Sequence, residues 1–246
     1  MTLNNTRHSD SGLPIDALEG AAVEMPPQTP SSQLNLIALK AGDLAAITLA
    51  VAAGECIVIA GASGSGKSRL LRVIADLDPG RVIETDSGFD AGRITLAGVD
   101  HLQYSGAEWR RRVAYMAAES QWWFDDVASH FEILPEPEQM QALGLDVGLL
   151  QQAVSHLSSG ERQRLALLRV LVQQPQVLLL DEPTASLDPV AALAVEALIA
   201  AYRVRYQAAV IWVSHDVAQA QRVGQRHFQI DQGCLVETGT GQRAAQ

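Results

Sequence analysis

A chain of 246 residues, 48% hydrophobic and 19% charged, has enough apolar material for one large packed domain or two small ones, which excludes a chain disordered throughout. Its 18 basic and 28 acidic residues leave a formal charge of −10, so the basic footprint of a nucleic-acid binder is missing. Apolar runs are too short for the ~20 residues that cross a bilayer, and the two cysteines, Cys56 and Cys234, fit free thiols in a reducing cytosol.

Residues 1–33 are polar, carry Pro14, Pro26, Pro27 and Pro30, lack the apolar stretch of a signal peptide, and are expected to form a disordered leader. Leu34 to Val51 reads as edge strands and turns. Cys56 to Ala60 is an apolar run that predicts a buried strand, and a helix should follow from about Lys67 to Asp76, with Leu70, Leu71 and Ile74 on its apolar face. Asp78 to Gly92 reads as a Pro/Gly/Asp-rich loop, then Arg93 to Leu96 and Arg112 to Ala117 as strands. From about 119 to 156 aromatics, prolines and short helical pieces predict a small helical lobe inserted in the domain. A helix begins at Ser159 or Gly160 and runs to about Gln173. Val177 to Leu180 has no polar residue, as in a strand covered on both faces. An Ala-rich helix from Val190 to Tyr206, a strand from Val210 to Val213 and a hairpin from about Phe228 to Thr238, turning near Gln232-Gly233, precede a tail at 241–246. Strands alternating with helices predict an α/β fold with a mostly parallel core.

Three segments carry chemistry. Gly61-Ala62-Ser63-Gly64-Ser65-Gly66-Lys67-Ser68 matches G-x-x-x-x-G-K-[ST] between a predicted strand and a predicted helix. Its glycines let successive N–H groups converge on phosphate oxygens, Lys67 should reach the β- and γ-phosphates, and the Ser68 hydroxyl suits Mg²⁺. Asp181 ends an apolar strand, where it can hold Mg²⁺ through water, and Glu182 beside it can act as general base toward an attacking water. Leu157-Ser158-Ser159-Gly160-Glu161 is a polar turn that opens a helix.

In this order the motifs are similar to those of the nucleotide-binding subunits of ATP-binding cassette (ABC) transporters, over about residues 34–240. The resemblance implies a P-loop NTPase sheet with a mostly parallel core, an antiparallel N-terminal portion and a reduced helical lobe. Gly61, Ser63, Gly64, Ser65, Gly66, Lys67 and Ser68 resemble the Walker A loop, and Val177 to Glu182 the Walker B strand with its catalytic glutamate. Leu157 to Glu161 is similar to the LSGGQ signature, Ser186-Leu187-Asp188 to the D-loop and His215 to the switch histidine. By this resemblance ATP is the substrate and Mg²⁺ its companion, with Lys67, Glu182 and His215 in catalysis. Ser158, Gly160 and Asp188 would act in trans, on ATP held by a second copy of the chain in a head-to-tail dimer. An integral membrane permease would be the other partner, placing this subunit on the cytoplasmic face of the membrane. A soluble assembly or repair ATPase and a slow or non-hydrolysing regulatory module are the competing expectations.

The departures from the family are local. Ser159 and Glu161 replace a glycine and a glutamine of the signature. Arg69 stands where threonine is usual and either contacts a phosphate or points to solvent. No Phe, Tyr or Trp precedes Phe89, so the aromatic residue that stacks on adenine is missing; Leu39 or Leu44 packs on the base, or nucleotide selectivity is relaxed. Ala118 takes the place of the Q-loop glutamine, and Glu119 either shifts into its role near Mg²⁺ or is a loop carboxylate. Trp122-Trp123-Phe124 is either lobe core or a surface for the membrane partner. The short stretch between Ala118 and the signature resembles compact bacterial exporter subunits of the FetA type.

Overall fold

The computed structural model describes residues 32–78 and 92–240, so the expected leader (apart from its last two residues), the loop after Asp78 and the tail lie outside the described residues. Two sheets build the chain. The first is antiparallel, in the order β2-β1-β4-β5, from β1 (Ser32–Leu39), β2 (Ile47–Ala52), β4 (Arg93–Leu96) and β5 (Val99–Asp100). The second has the order β10-β9-β3-β8-β7-β6. In it β9 (Arg226–Asp231), β3 (Cys56–Gly61), β8 (Ala209–Val213), β7 (Val177–Asp181) and β6 (Val113–Met116) are parallel, and β10 (Cys234–Thr240) closes the edge antiparallel to β9.

The apolar strands are buried on both faces because consecutive side chains serve two different cores. Ile57, Ile59, Val177, Leu179, Ile211 and Val213 point into one, filled by Leu70, Leu71, Val73 and Ile74 of α1 (Lys67–Ile74) and by the antiparallel sheet. Val58, Leu178, Leu180, Val210 and Trp212 point into the other. There they meet Leu165, Leu168 and Leu171 of α4 (Ser159–Leu171) and Val195, Ile199 and Tyr202 of α5 (Pro189–Tyr206). Cys56 belongs to this second core; burial pushes its thiol up to about 12, which makes it inert near neutral pH.

Most elements fall where the sequence places them, with three differences. Arg112 ends a helix, α2 (Gly106–Arg112), and does not start the strand. Ser105 caps that helix by accepting from the Glu108 N–H at 3.2 Å, and its buried Trp109 donates from Nε1 to the Ile74 carbonyl at 2.9 Å, pinning the end of α1. A second helix not expected, α6 (Val217–Val223), follows His215. The lobe, finally, is helical only in part. One α-helix, α3 (Pro137–Ala142), stands among 3-10 turns, and the lobe's Val127, Met140, Leu143, Leu149 and Leu150 pack on the α4 side of the sheet.

Candidate active site

The loop between β3 and α1 curls because its glycines take conformations closed to other residues. Gly66 caps α1 at φ +99, and a Cβ there would come within 3.1 Å of the Leu44 side chain. The loop wraps around its own lysine: Lys67 Nζ donates to the Gly61 and Ala62 carbonyls at 2.9 and 2.8 Å. Burial lowers the Lys67 pKa, while the Glu182 and Asp181 carboxylates oppose that shift. A cleft of about 350 Å³ opens over this loop, lined by Ser63 to Arg69, by Ala41, Asp43 and Leu44 of the turn between β1 and β2, and by Glu182 and His215.

Asp181 and Glu182 leave the end of β7 in opposite ways. Asp181 is buried, and its Oδ2 accepts from the Tyr115 hydroxyl at 3.0 Å. Glu182 sits at φ +48, a left-handed backbone that costs a non-glycine residue free energy and turns its side chain out of the strand. Its Oε1 lies 2.9 Å from His215 Nε2 at the edge of the cleft. Tyr115 escaped the sequence analysis, since a tyrosine in a strand announces no target. Burial and the neighbouring Asp181 push its hydroxyl above the ordinary tyrosine range, so it remains a donor.

Also unforeseen is the network behind the two catalytic candidates. Gln219 of α6 is buried, accepts from Ser214 Oγ at 2.9 Å, and donates to Thr184 Oγ1 at 2.8 Å and Glu196 Oε1 at 2.9 Å. Ser214 precedes His215, and Thr184 lies two residues beyond Glu182, so one amide ties the two turns together. Arg222 grips Glu196 through two hydrogen bonds of 2.9 and 2.8 Å. Burial would raise the Glu196 pKa, but the bonds from Arg222 and Gln219 hold it below the usual carboxylate range.

Ser158, Gly160 and Asp188 do not line the cleft. Ser158 caps α4 in a reciprocal box: its Oγ accepts from the Glu161 N–H at 3.2 Å, and Glu161 Oε2 takes the Ser158 N–H and hydroxyl at 2.8 and 2.7 Å. Glu161 is thus a capping partner, and Ser159 is simply the first residue of the helix. Asp188 caps α5 by accepting from Val190 and Ala191 N–H at 2.9 and 3.0 Å. The two turns meet: a Cβ on Gly160 would touch Leu187 at 3.4 Å. Ser158, Gly160 and Asp188 therefore belong to adjoining turns, apart from the cleft of the same chain.

The Ser68 hydroxyl and the Asp181 carboxylate are hard oxygen donors that fit Mg²⁺. Among the described residues no group of three or more His, Cys, Asp or Glu forms a cation cage, so such an ion would take its other ligands from phosphate and water. Glu119 is exposed and does not line the cleft. The aromatic triplet divides: Trp122 is half-buried against the second core, whereas Trp123 and Phe124 are 64% and 50% exposed. Their backbone N–H groups donate to His130 Nε2 at 2.8 and 3.0 Å, and the Arg169 guanidinium lies 4.8 and 5.0 Å from the ring centres of Trp122 and Trp123.

The sequence profile of the family described as "ABC transporter" matches residues 44–185. The chain is 37% identical to the aliphatic sulfonates import ATP-binding protein SsuB 2 of Agrobacterium fabrum, over 78% of this chain and 72% of that protein. It is 31% identical to the sulfate/thiosulfate import ATP-binding protein CysA of Yersinia pestis, over 79% of this chain but only 55% of that one. Among solved structures, an ATP-binding subunit of an ABC transporter superposes with a TM-score of 0.72 at 22% identity, covering 85% of this chain and 90% of its own. A dimeric ATP-binding cassette in a post-hydrolysis state with ADP and Pi gives 0.68 at 20% identity, covering 83% and 97%.

Proposed function

The chain belongs to the ABC transporter family of ATPases, and from that premise we propose that it works as a head-to-tail homodimer that drives a separate membrane permease. The observation that carries the dimer is the division of the site. The cleft holds Lys67, Glu182 and His215, while the signature turn and Asp188 lie outside it on adjoining turns. A second copy facing the first would bring its Ser158 hydroxyl and Gly160 N–H, at the N-terminus of α4, to the open side of the cleft. The Ser158 hydroxyl must then leave Glu161 for the phosphate.

In this mechanism the loop N–H groups and Lys67 hold the β- and γ-phosphates. Glu182 orients and deprotonates the attacking water, and His215, already 2.9 Å from Glu182, fixes its carboxylate and faces the γ-phosphate. Mg²⁺, held through Ser68 and Asp181, would neutralise charge on the phosphates. ATP shared by two subunits favours the closed dimer, and hydrolysis releases it. Among the described residues no helix is long and apolar enough to cross a membrane, so transport requires a partner. Trp123 and Phe124 are the exposed aromatic pair best suited to anchor one. The sulfonate and sulfate relatives are named as import proteins, which favours import of a small oxyanion over the exporter likeness of the short lobe.

Purification from detergent-solubilised membranes tests the assignment. The chain should co-purify with a multi-span membrane protein, and Trp123→Ala with Phe124→Ala should lose that partner while the isolated subunit keeps its phosphate release. Recovery with soluble proteins alone would replace transport by the assembly or repair role.

A further inference from the structure

Beyond the glycine loop, Glu182 and His215, the cleft is lined by Ala41, Asp43, Leu44 and Arg69, and no Phe, Tyr or Trp is part of its lining. Ala41 and Leu44 are themselves almost wholly buried, at 0% and 6% exposure, so they offer an apolar edge with little open face. The planar π group there is the Arg69 guanidinium, whose side chain is 43% exposed.

Its setting is that of a supported plate. A Cβ built on Gly42 would meet Arg69 Nη1 first, then Cζ at 2.5 Å and Nε at 2.6 Å, so Gly42 covers one side of the guanidinium, nearer its Nη1 edge. Gly42 stands at φ +62, so both its backbone and its missing side chain make room for the arginine. At the edge, Asp78 Oδ2 lies 3.6 Å from Nε, close enough to steady the charge, while Nε itself is buried and makes no hydrogen bond. One side is backed by main chain and the group remains open toward the cleft.

We propose that Arg69 is the platform on which the base of the nucleotide stacks, with Leu44 and Ala41 at its apolar edge. The proposal rests on the assignment of the cleft as the ATP site. A guanidinium stacks on π faces and is attracted by them. Every purine has such a face, so this platform holds ATP and GTP with similar strength and leaves discrimination to other groups.

The alternative role, a contact to phosphate, is separated by using tripolyphosphate, which has the charge of the nucleotide tail and no base. Equilibrium binding of ATP, GTP and tripolyphosphate, each with Mg²⁺, would be compared in the full chain and in Arg69→Ala, Arg69→Lys and Arg69→Tyr. Arg69→Ala should weaken ATP and GTP about tenfold and change tripolyphosphate by less than about twofold. Unchanged tripolyphosphate binding also proves that the variant is folded. Arg69→Tyr, flat and neutral, should restore ATP; Arg69→Lys, charged and not flat, should not. Equal losses for ATP and tripolyphosphate with rescue by lysine would overturn the proposal in favour of a phosphate contact, and unchanged ATP affinity in Arg69→Ala would overturn it outright. Lys67→Ala tests the underlying assignment separately: if it binds both ATP and tripolyphosphate as the parent does, the cleft is not the ATP site.

Discussion

Gln219→Leu tests whether the buried network behind Glu182 and His215, the proposed catalytic pair, sets their geometry. Leucine is close to glutamine in volume, so no large cavity opens, and what is lost is three hydrogen bonds of 2.8, 2.9 and 2.9 Å. Glu196 keeps its two hydrogen bonds from Arg222, and Thr184 is only half-buried and can turn to water. The bond to a charged acceptor is worth about 1.5–3 kcal/mol and each neutral one about 0.5–1.5, so with partial replacement the net loss should be about 2–3 kcal/mol. At a urea slope of about 2–3 kcal/mol/M, the unfolding midpoint should fall by about 1 M. Freed from Gln219, the turns carrying Glu182 and His215 drift relative to each other, and kcat should drop about tenfold. KM should change little, because the glycine loop and Lys67 are untouched. A midpoint unchanged within ~0.2 M, or a raised KM with normal kcat, would show that the network does not position the pair.

Two further outcomes follow from individual contacts. Tyr115→Phe removes the hydroxyl that donates to Asp181 at 3.0 Å; the Mg²⁺ concentration for half-maximal phosphate release should rise several-fold while metal-free ATP binding holds, and identical Mg²⁺ curves would remove Tyr115 from the site. The Glu196 pKa is depressed in the folded chain, so its stabilising effect is complete above the ordinary value of 4.5 and is lost as pH falls through the folded value. Urea midpoints measured from about pH 6 to pH 3.5 should therefore fall more steeply for the parent than for Glu196→Gln, and parallel curves would contradict the contribution of the Arg222 pair.

The sequence was most legible where one residue type has one physical use. Gly66 could only be a glycine at φ +99, and unbroken apolar strands such as Val177 to Leu180 could only lie in a sheet covered twice. Ser105 and Glu108 bracket the start of α2 in a pattern that was available and went unread. Other features depend on distant segments. Nothing local in Tyr115 points to Asp181, 66 residues away, and Gln219 meets Thr184 and Glu196 only where the turn after β7, α5 and α6 come together, 35 and 23 residues apart along the chain. The triplet Trp122-Trp123-Phe124 reads the same along the chain, yet its members part because Trp122 turns inward while its neighbours follow the surface around His130. Glu119, expected either near the metal or as a loop carboxylate, is exposed and does not line the cleft.

The central claim is that one molecule completes the site of another, and sedimentation velocity with and without ATP tests it most directly. Glu182→Gln should slow hydrolysis by about 10²-fold or more and so hold the ATP-bound form long enough to observe. In that background the chain should sediment as a dimer with ATP and Mg²⁺ and as a monomer without ATP. Adding Ser158→Arg, which changes no residue of the chain's own cleft, should return it to monomer in saturating ATP. A Glu182→Gln chain that stays monomeric with ATP bound, or a dimer indifferent to Ser158→Arg, would contradict the shared site.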